Sequence, residues 1–367
     1  MKILVAGDWH SELHEAAAAH ALEMLGHTVT RFAWHHYFSV AGDSMATRLI
    51  SLWRRAQNKY LWGGRMERLN RDLIDLAQRV QPEAVFIYRG THIYLNTLRG
   101  LRATVPGVVL VGYNNDDPFA AGHVAGLWRH FIAGLPELDL ALAYRHANLQ
   151  DFRRAGARRV ELLRSWYIPE RNRPVALSEE ERERFACDVV FIGHYEADIR
   201  LACLEAAVGA GYQVRLYGPP YEWESVLRPH PVLSRLLPVR LVWGEEYNRA
   251  LCGAKVALVF LSKLNRDTYT RRSFEIPATG TLMLSEHTED LARLFQPDSE
   301  ALYFRSISEF IGQLNWVMGD AEKRSAIAKA GLSRVQEDRH DVVARMENLV
   351  GWISEIRSKL HDHACQV

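Results

Sequence analysis

What this sequence lacks narrows its class before any motif is read. Cysteine is scarce: four residues, at 187, 203, 252 and 365, with no C-x-x-C spacing. That argues against a disulfide framework or a zinc ribbon and suits thiols of a reducing compartment. No apolar run approaches the length of a transmembrane helix. The opening run, MKILVAG, is too short for a signal peptide and reads as a first strand. A basic excess is missing as well. The formal net charge of the 367 residues is +1, which speaks against a dedicated nucleic-acid protein, so no nucleic-acid partner is expected. There is no low-complexity tract and no internal repeat beyond a recurring strand-helix alternation. The reading places the protein in the cytoplasm, with membrane contact only at a surface, on the inner face.

The alternation itself carries the fold class. Strands are expected at 2–6, 28–32, 84–88, 108–112, 138–143 and 160–163, separated by helical stretches such as 12–25. Such β-α-β grammar implies a parallel sheet. Residues 169–186 break the pattern with two prolines, Pro169 and Pro174, followed by the charged run SEEERER, in which Ser178 and Glu181 fit a capping box. The grammar then restarts, with strands expected at 189–192, 213–217, 240–243, 256–261, 281–284 and 302–304. The domain division is therefore 1–169, a linker at 170–187, a second domain at 188–336, and a closing helix with tail at 337–367. In such sheets ligands sit outside the carboxyl ends of the strands. The gap between two domains of this kind is the expected active site.

The stretch 44–80 is helical in period, interrupted at Gly63-Gly64, and carries eight Lys or Arg against three acids, a net +5. Aromatic and apolar residues interleave with the charges. Such a stretch suits either a solvated helical hairpin or peripheral contact with an anionic membrane or a lipid-linked acceptor.

Chemistry concentrates between two apolar runs, in NRDTYTRRSFEIPATGTLMLSE at 265–286. A short helix is expected to start near Thr270, with Arg271 and Arg272 in its first turn. Pro277 and Gly280 stop it. Cations are unfavourable at a helix N-terminus, so two arginines there point to a bound anion, a diphosphate being the usual candidate. Glu275 is placed to accept hydrogen bonds from two ribose hydroxyls. Asp267 lies eight residues before it. Lys263 offers a further cation. Gly193-His194-Tyr195 and Tyr217-Gly218 lie at strand ends facing the same crevice, where glycine permits close approach of backbone to a nucleotide. Arginine on a diphosphate needs no divalent metal, and neither D-x-D nor H-E-x-x-H is evident, so no metal and no cofactor are expected beyond the nucleotide-sugar substrate.

The run Arg272-Ser-Phe-Glu275-Ile-Pro-Ala-Thr-Gly280 resembles the R-x-F-E-x-x-A-x-G signature of CgeB-type, spore-maturation-like glycosyltransferases of the family-1-like group. Asp188 to Gly193 with Arg200, and the region 334–346, resemble neighbouring parts of that group, the likeness covering roughly residues 110–350. The resemblance implies a GT-B fold: two Rossmann-like domains, an interdomain cleft, and a C-terminal helix crossing back to the first domain. It also implies transfer of a sugar from a nucleoside-diphosphate donor, held by the second domain, to an unidentified acceptor on the first. A nucleotide-sugar 2-epimerase, or a non-catalytic nucleotide-sugar-binding scaffold, would share that fold. For acceptor activation the candidates are Asp117, Asp116, His10 and Asp8. Asn114-Asn-Asp-Asp-Pro118 resembles a D-D-P element of the group, which favours Asp117. His10 and His14, four apart, are read as polar residues at a helix start rather than a metal pair. Retaining enzymes of this fold with an acidic-x7-Glu pattern commonly carry Glu at the first position, where this chain has Asp267, and stereochemistry is left open.

Overall fold

The computed structural model describes residues 1–39, 45–124 and 126–364. Ser44, at the edge of the basic stretch, and Cys365 with the last two tail residues lie outside that range. Two compact units emerge, one formed by Met1–Ser165 with Val342–Val367, the other by Trp166–Asp341.

In the first unit the order is β1 (Lys2–Gly7), α1 (Glu15–Met24), β2 (Thr28–Ala33), α2 (Met45–Tyr60), α3 (Gly64–Val80), β3 (Ala84–Tyr88), α4 (Leu95–Thr104), β4 (Val109–Asn114), α5 (Arg129–Gly134), β5 (Leu140–Ala143), α6 (His146–Arg154) and β6 (Val160–Leu162). All six strands run parallel in the order β2-β1-β3-β4-β5-β6. β3, AVFIY, is buried along its whole length, as a strand covered on both faces must be. The core joins Leu4, Val85, Ile87, Leu110 and Phe131 to Leu69 and Leu73 of α3.

The second unit runs α7 (Glu179–Phe185), β7 (Cys187–Ile192), α8 (Arg200–Gly209), β8 (Val214–Tyr217), α9 (Pro220–Leu227), α10 (Gly244–Cys252), β9 (Ala254–Val259), α11 (Arg272–Ala278), β10 (Leu282–Glu286), α12 (Glu289–Leu294), β11 (Leu302–Phe304), α13 (Ile307–Met318) and α14 (Ala321–Glu337). Its five parallel strands are ordered β11-β10-β9-β7-β8. The chain then returns to the first unit as α15 (Val342–Ala364), which packs on α1 and β4, burying Met346, Leu349 and Ile353. Arg345 Nε donates to Ser165 O at 3.3 Å, and Arg357 pairs with Glu83.

Three expectations need correction. The stretch 240–243 forms no strand, only a single bridge from Arg240 to Tyr217. Val242 is buried between exposed Leu241 and Trp243, so the side chains alternate as in a strand, but α10 starts at Gly244 and leaves no length for a ladder. Residues 170–187 are not a free linker but part of the second unit. Asn248 Nδ2 holds Arg173 O at 2.9 Å, Arg249 pairs with Glu181 at 2.7 Å, and Phe185 is buried. The capping box is present, Ser178 Oγ accepting from Glu181 N and Glu181 Oε2 from Ser178 N. Finally, α1 begins at Glu15, later than expected, so His10 is exposed ahead of it and His14 meets the Tyr88 hydroxyl at 2.7 Å through Nδ1.

Candidate active site

Each sheet reverses its strand order once, and at such a switch point adjacent loops diverge and leave room for a ligand. In the second unit the switch lies between β7 and β9. The loop after β7 carries Gly193, His194 and Tyr195, and the segment after β9 leads into α11.

α11 is seven residues long, and every residue from Ser273 to Ala278 is buried. Gly280 follows with φ +73, the left-handed conformation that ends a helix without a Cβ penalty. Thr279 Oγ1 donates to Ile276 O at 2.7 Å, and Thr281 Oγ1 donates to Leu251 O at 2.9 Å, tying the end of α11 to α10. Glu275 is therefore no solvated surface carboxylate. It is 5% exposed, and its Oε2 accepts from the Tyr247 hydroxyl at 2.7 Å. Burial and the neighbouring carboxylate push the Tyr247 phenol well above its ordinary range, so it stays a donor. Oε1 takes no hydrogen bond among the described residues.

Two buried donors precede this carboxylate in sequence: Thr270 Oγ1 and Arg272 Nε have no partner among the described residues. Buried polar groups are nearly always hydrogen-bonded, so orphans at a strand's carboxyl end mark a place for a ligand's acceptor atoms. In so short a helix the attraction for an anion rests on the guanidinium and hydroxyl more than on the helix end. Arg271 is half-buried at the N-cap, and Asp267 donates its N–H to Ser262 O at 2.9 Å.

The remaining donor-side residues are engaged elsewhere. Lys263, expected as a second cation, pairs with Glu286 at 2.8 Å, and its N–H reaches Glu196 Oε2 at 3.2 Å. Around it stand Asp198 and Arg200, joined at 2.7 Å, so the ends of β7, β9 and β10 hold a network of carboxylates that discourages a phosphate there. His194 meets Glu222 at 3.0 Å, and the same carboxylate accepts from Tyr195 N. Gly218 serves packing: a Cβ there would stand 2.2 Å from Gly193 O and 2.6 Å from Trp223 Nε1, which itself donates to Gly193 O. Tyr217 is buried beneath the Arg240 guanidinium.

In the first unit the loops after β1, β3 and β4 share the carboxyl edge of one sheet. Arg89 and Asp116 bridge two of them at 2.9 Å. Asp117, a candidate base from the sequence, is a buried brace of its loop: it is 0% exposed, and Oδ1 accepts from Asn148 Nδ2 at 2.8 Å and Phe119 N at 3.0 Å. Glu15 was not anticipated. Its buried carboxylate accepts from Asp8 N at 2.9 Å beneath Gly7, where a Cβ would stand 2.4 Å from it, and burial raises its pKa. The loop after β1 thus fills its own anion-accepting position. His10 is exposed and takes no hydrogen bond among the described residues, while Asp8 is half-buried beside it.

Residues 200–351 match the family model described as glycosyl transferase-like. No curated protein matches the sequence. Among solved structures, the chain is similar to sucrose-phosphate synthase of Thermosynechococcus elongatus, with TM-score 0.70 and 12% identity over 98% of this chain and 100% of that one. It is also similar to Anabaena HepE in complex with UDP and glucose, with TM-score 0.67 and 12% identity over 97% and 100%. A glycosyltransferase from Rickettsia africae gives TM-score 0.66 and 10% identity over 97% and 98%. The fold is that of the GT-B glycosyltransferases, and the segment 200–351 is glycosyltransferase-like.

Proposed function

We propose that this chain transfers a sugar from a nucleoside-diphosphate donor, held by the Trp166–Asp341 unit, to a hydroxyl acceptor bound by the first unit. The observation that carries the reading is the group on and before α11: one buried carboxylate with a free oxygen, and two buried donors without partners. Glu275 grips the ribose hydroxyls through Oε1 while Tyr247 holds Oε2. Arg272 and Thr270, with Arg271 behind them, take the diphosphate. Charge grows on that leaving group as the glycosidic bond breaks, so positive groups already in place lower the barrier.

The structures of HepE contain UDP or UDP-glucose, which makes UDP-sugars the first donors to test here. The CgeB-type likeness of the 272–280 signature supports the same class. For acceptor activation, Asp116 is held by Arg89 and Asp117 by its loop, leaving His10 and Asp8 as the groups in reach of an incoming hydroxyl.

A thermal-shift panel of nucleotides and nucleotide sugars tests the donor half, since a ligand that binds only the folded state raises its stability. Stabilisation by one nucleoside diphosphate and its sugar, lost in Glu275→Ala, supports the assignment; no response to any nucleotide at millimolar concentration contradicts it.

A further inference from the structure

The apolar side chains of α2 face outward. Along its length Met45, Leu49, Leu52, Trp53 and Tyr60 recur at i, i+4, i+7, i+8 and i+15, one helical stripe, and all are exposed, Leu49 at 62% and Trp53 at 58%. Such a stripe normally faces a core. Here, among the described side chains of α2, the buried one is polar: Gln57, whose Oε1 accepts from Arg65 N at 2.9 Å and fastens α2 to the start of α3. A 16-residue helix gains its stability chiefly from packing an apolar face, and this one presents its face to the outside.

The charges around the stripe say what covers it. Arg48, Arg55 and Lys59 lie along one flank of the apolar arc, where long basic side chains can keep their stems on apolar surface and their heads in a polar layer. On the other side a groove of about 720 Å³ runs between α2 and α3, with Ile50 and Trp53 meeting Arg54, Arg65, Arg68 and Arg71. Trp62 extends the apolar surface beyond α2, its ring edge-on to Trp53 at 5.9 Å. The described span 45–80 holds eight basic and three acidic residues, a net +5, in a chain whose total is +1. Tryptophan, tyrosine and flanking cations around an apolar arc, with a local net charge of +5, match the boundary of an anionic bilayer. Among the described residues no helix is long and apolar enough to cross a membrane, so the contact is one of lying on the surface.

We infer that α2 and the facing side of α3 form a docking surface for an anionic lipid bilayer, the apolar stripe entering the headgroup boundary and the arginines meeting lipid phosphates. This stands apart from the sugar-transfer reading, because no donor is needed for it.

Co-sedimentation of the full chain with phosphatidylcholine vesicles, with and without phosphatidylglycerol, tests it. The wild type is expected in the pellet with phosphatidylglycerol vesicles at low salt and in the supernatant with phosphatidylcholine alone. The double variant Arg48→Glu/Arg55→Glu is expected to lower partitioning tenfold or more, each cation near the surface carrying its own share of the attraction. Leu49→Ala/Trp53→Ala is expected to weaken it as well and to leave the remainder more sensitive to salt. Both variants should melt with the wild type, their substitutions being on exposed positions. Failure of the wild type to bind anionic vesicles, or equal binding by either folded variant, would overturn the inference. So would sedimentation equilibrium showing a dimer that Leu49→Glu dissociates, because a second copy would then be the cover.

Discussion

The Tyr247 hydroxyl donates to Glu275 Oε2 at 2.7 Å, joining two residues 28 apart in sequence and on different helices. One carboxylate oxygen is thereby fixed and the other left for a ligand. Tyr247→Phe removes that bond while keeping the ring. Hydrogen bonds to charged groups contribute about 1.5–3 kcal/mol, so KM for the donor is expected to rise on the order of tenfold or more while kcat changes little. Steady-state kinetics at saturating acceptor check the split; an equal fall in kcat would assign Tyr247 a different role.

Arg272 points to a test of the diphosphate half. With its Nε buried and unpartnered among the described residues, Arg272→Ala should weaken a nucleoside diphosphate at least roughly tenfold, about 1.4 kcal/mol, and leave the corresponding nucleoside nearly unchanged. Titration calorimetry with the pair reads the difference directly. Arg272→Lys keeps the charge but loses the fork, and should fall between the two.

Packing at the β7 and β8 ends yields a prediction about stability. Gly218→Ala would press a methyl against Gly193 O, a backbone atom that cannot swing away. Overpacking of this kind costs typically about 1–3 kcal/mol, so the urea midpoint should drop with no change in slope. An unchanged midpoint would mean the two strand ends separate freely.

His92 links pH to the first unit. Its ring stacks on Trp34, Nε2 meets Asn58 Oδ1 at 2.7 Å and Nδ1 meets Thr91 Oγ1 at 2.9 Å. Burial, and then the charge of Arg89, lowers its pKa to about 3. The unfolded chain takes up this proton near pH 6.5 and the folded chain only near pH 3, so stability is lost as pH falls through that window. His92→Gln should flatten the loss, as measured by urea unfolding at neutral pH and near about pH 4.5.

Much of this architecture was legible in the chain, and the misses have physical causes. β3 and β11 fall where short apolar runs are bounded by turn residues, and Ser178 with Glu181 gave α7 its start because a capping box is a local code. Glu275, Arg272 and Thr270 lie close in sequence and come together on and before one short helix. Tyr247 left no such mark, since a phenol reaching another helix follows no period. Burial was equally hidden: Asp117 looks like an available acid until Asn148 closes over it, and Glu15 looks like a helix-surface residue until the loop after β1 folds onto its carboxylate. Residues 240–243 have a strand's composition and alternation, but the start of α10 at Gly244 leaves them a single bridge.

Donor binding at this site depends first on the carboxylate of α11. Glu275→Ala, shown by its melting curve to be folded, should be assayed beside the wild type for release of nucleoside diphosphate from each donor that stabilises the wild type. Turnover in the wild type and a loss of a hundredfold or more in the variant, roughly the 2.7 kcal/mol that two hydrogen bonds to a charged group can supply, is the expected result. Wild-type turnover in the variant would contradict it.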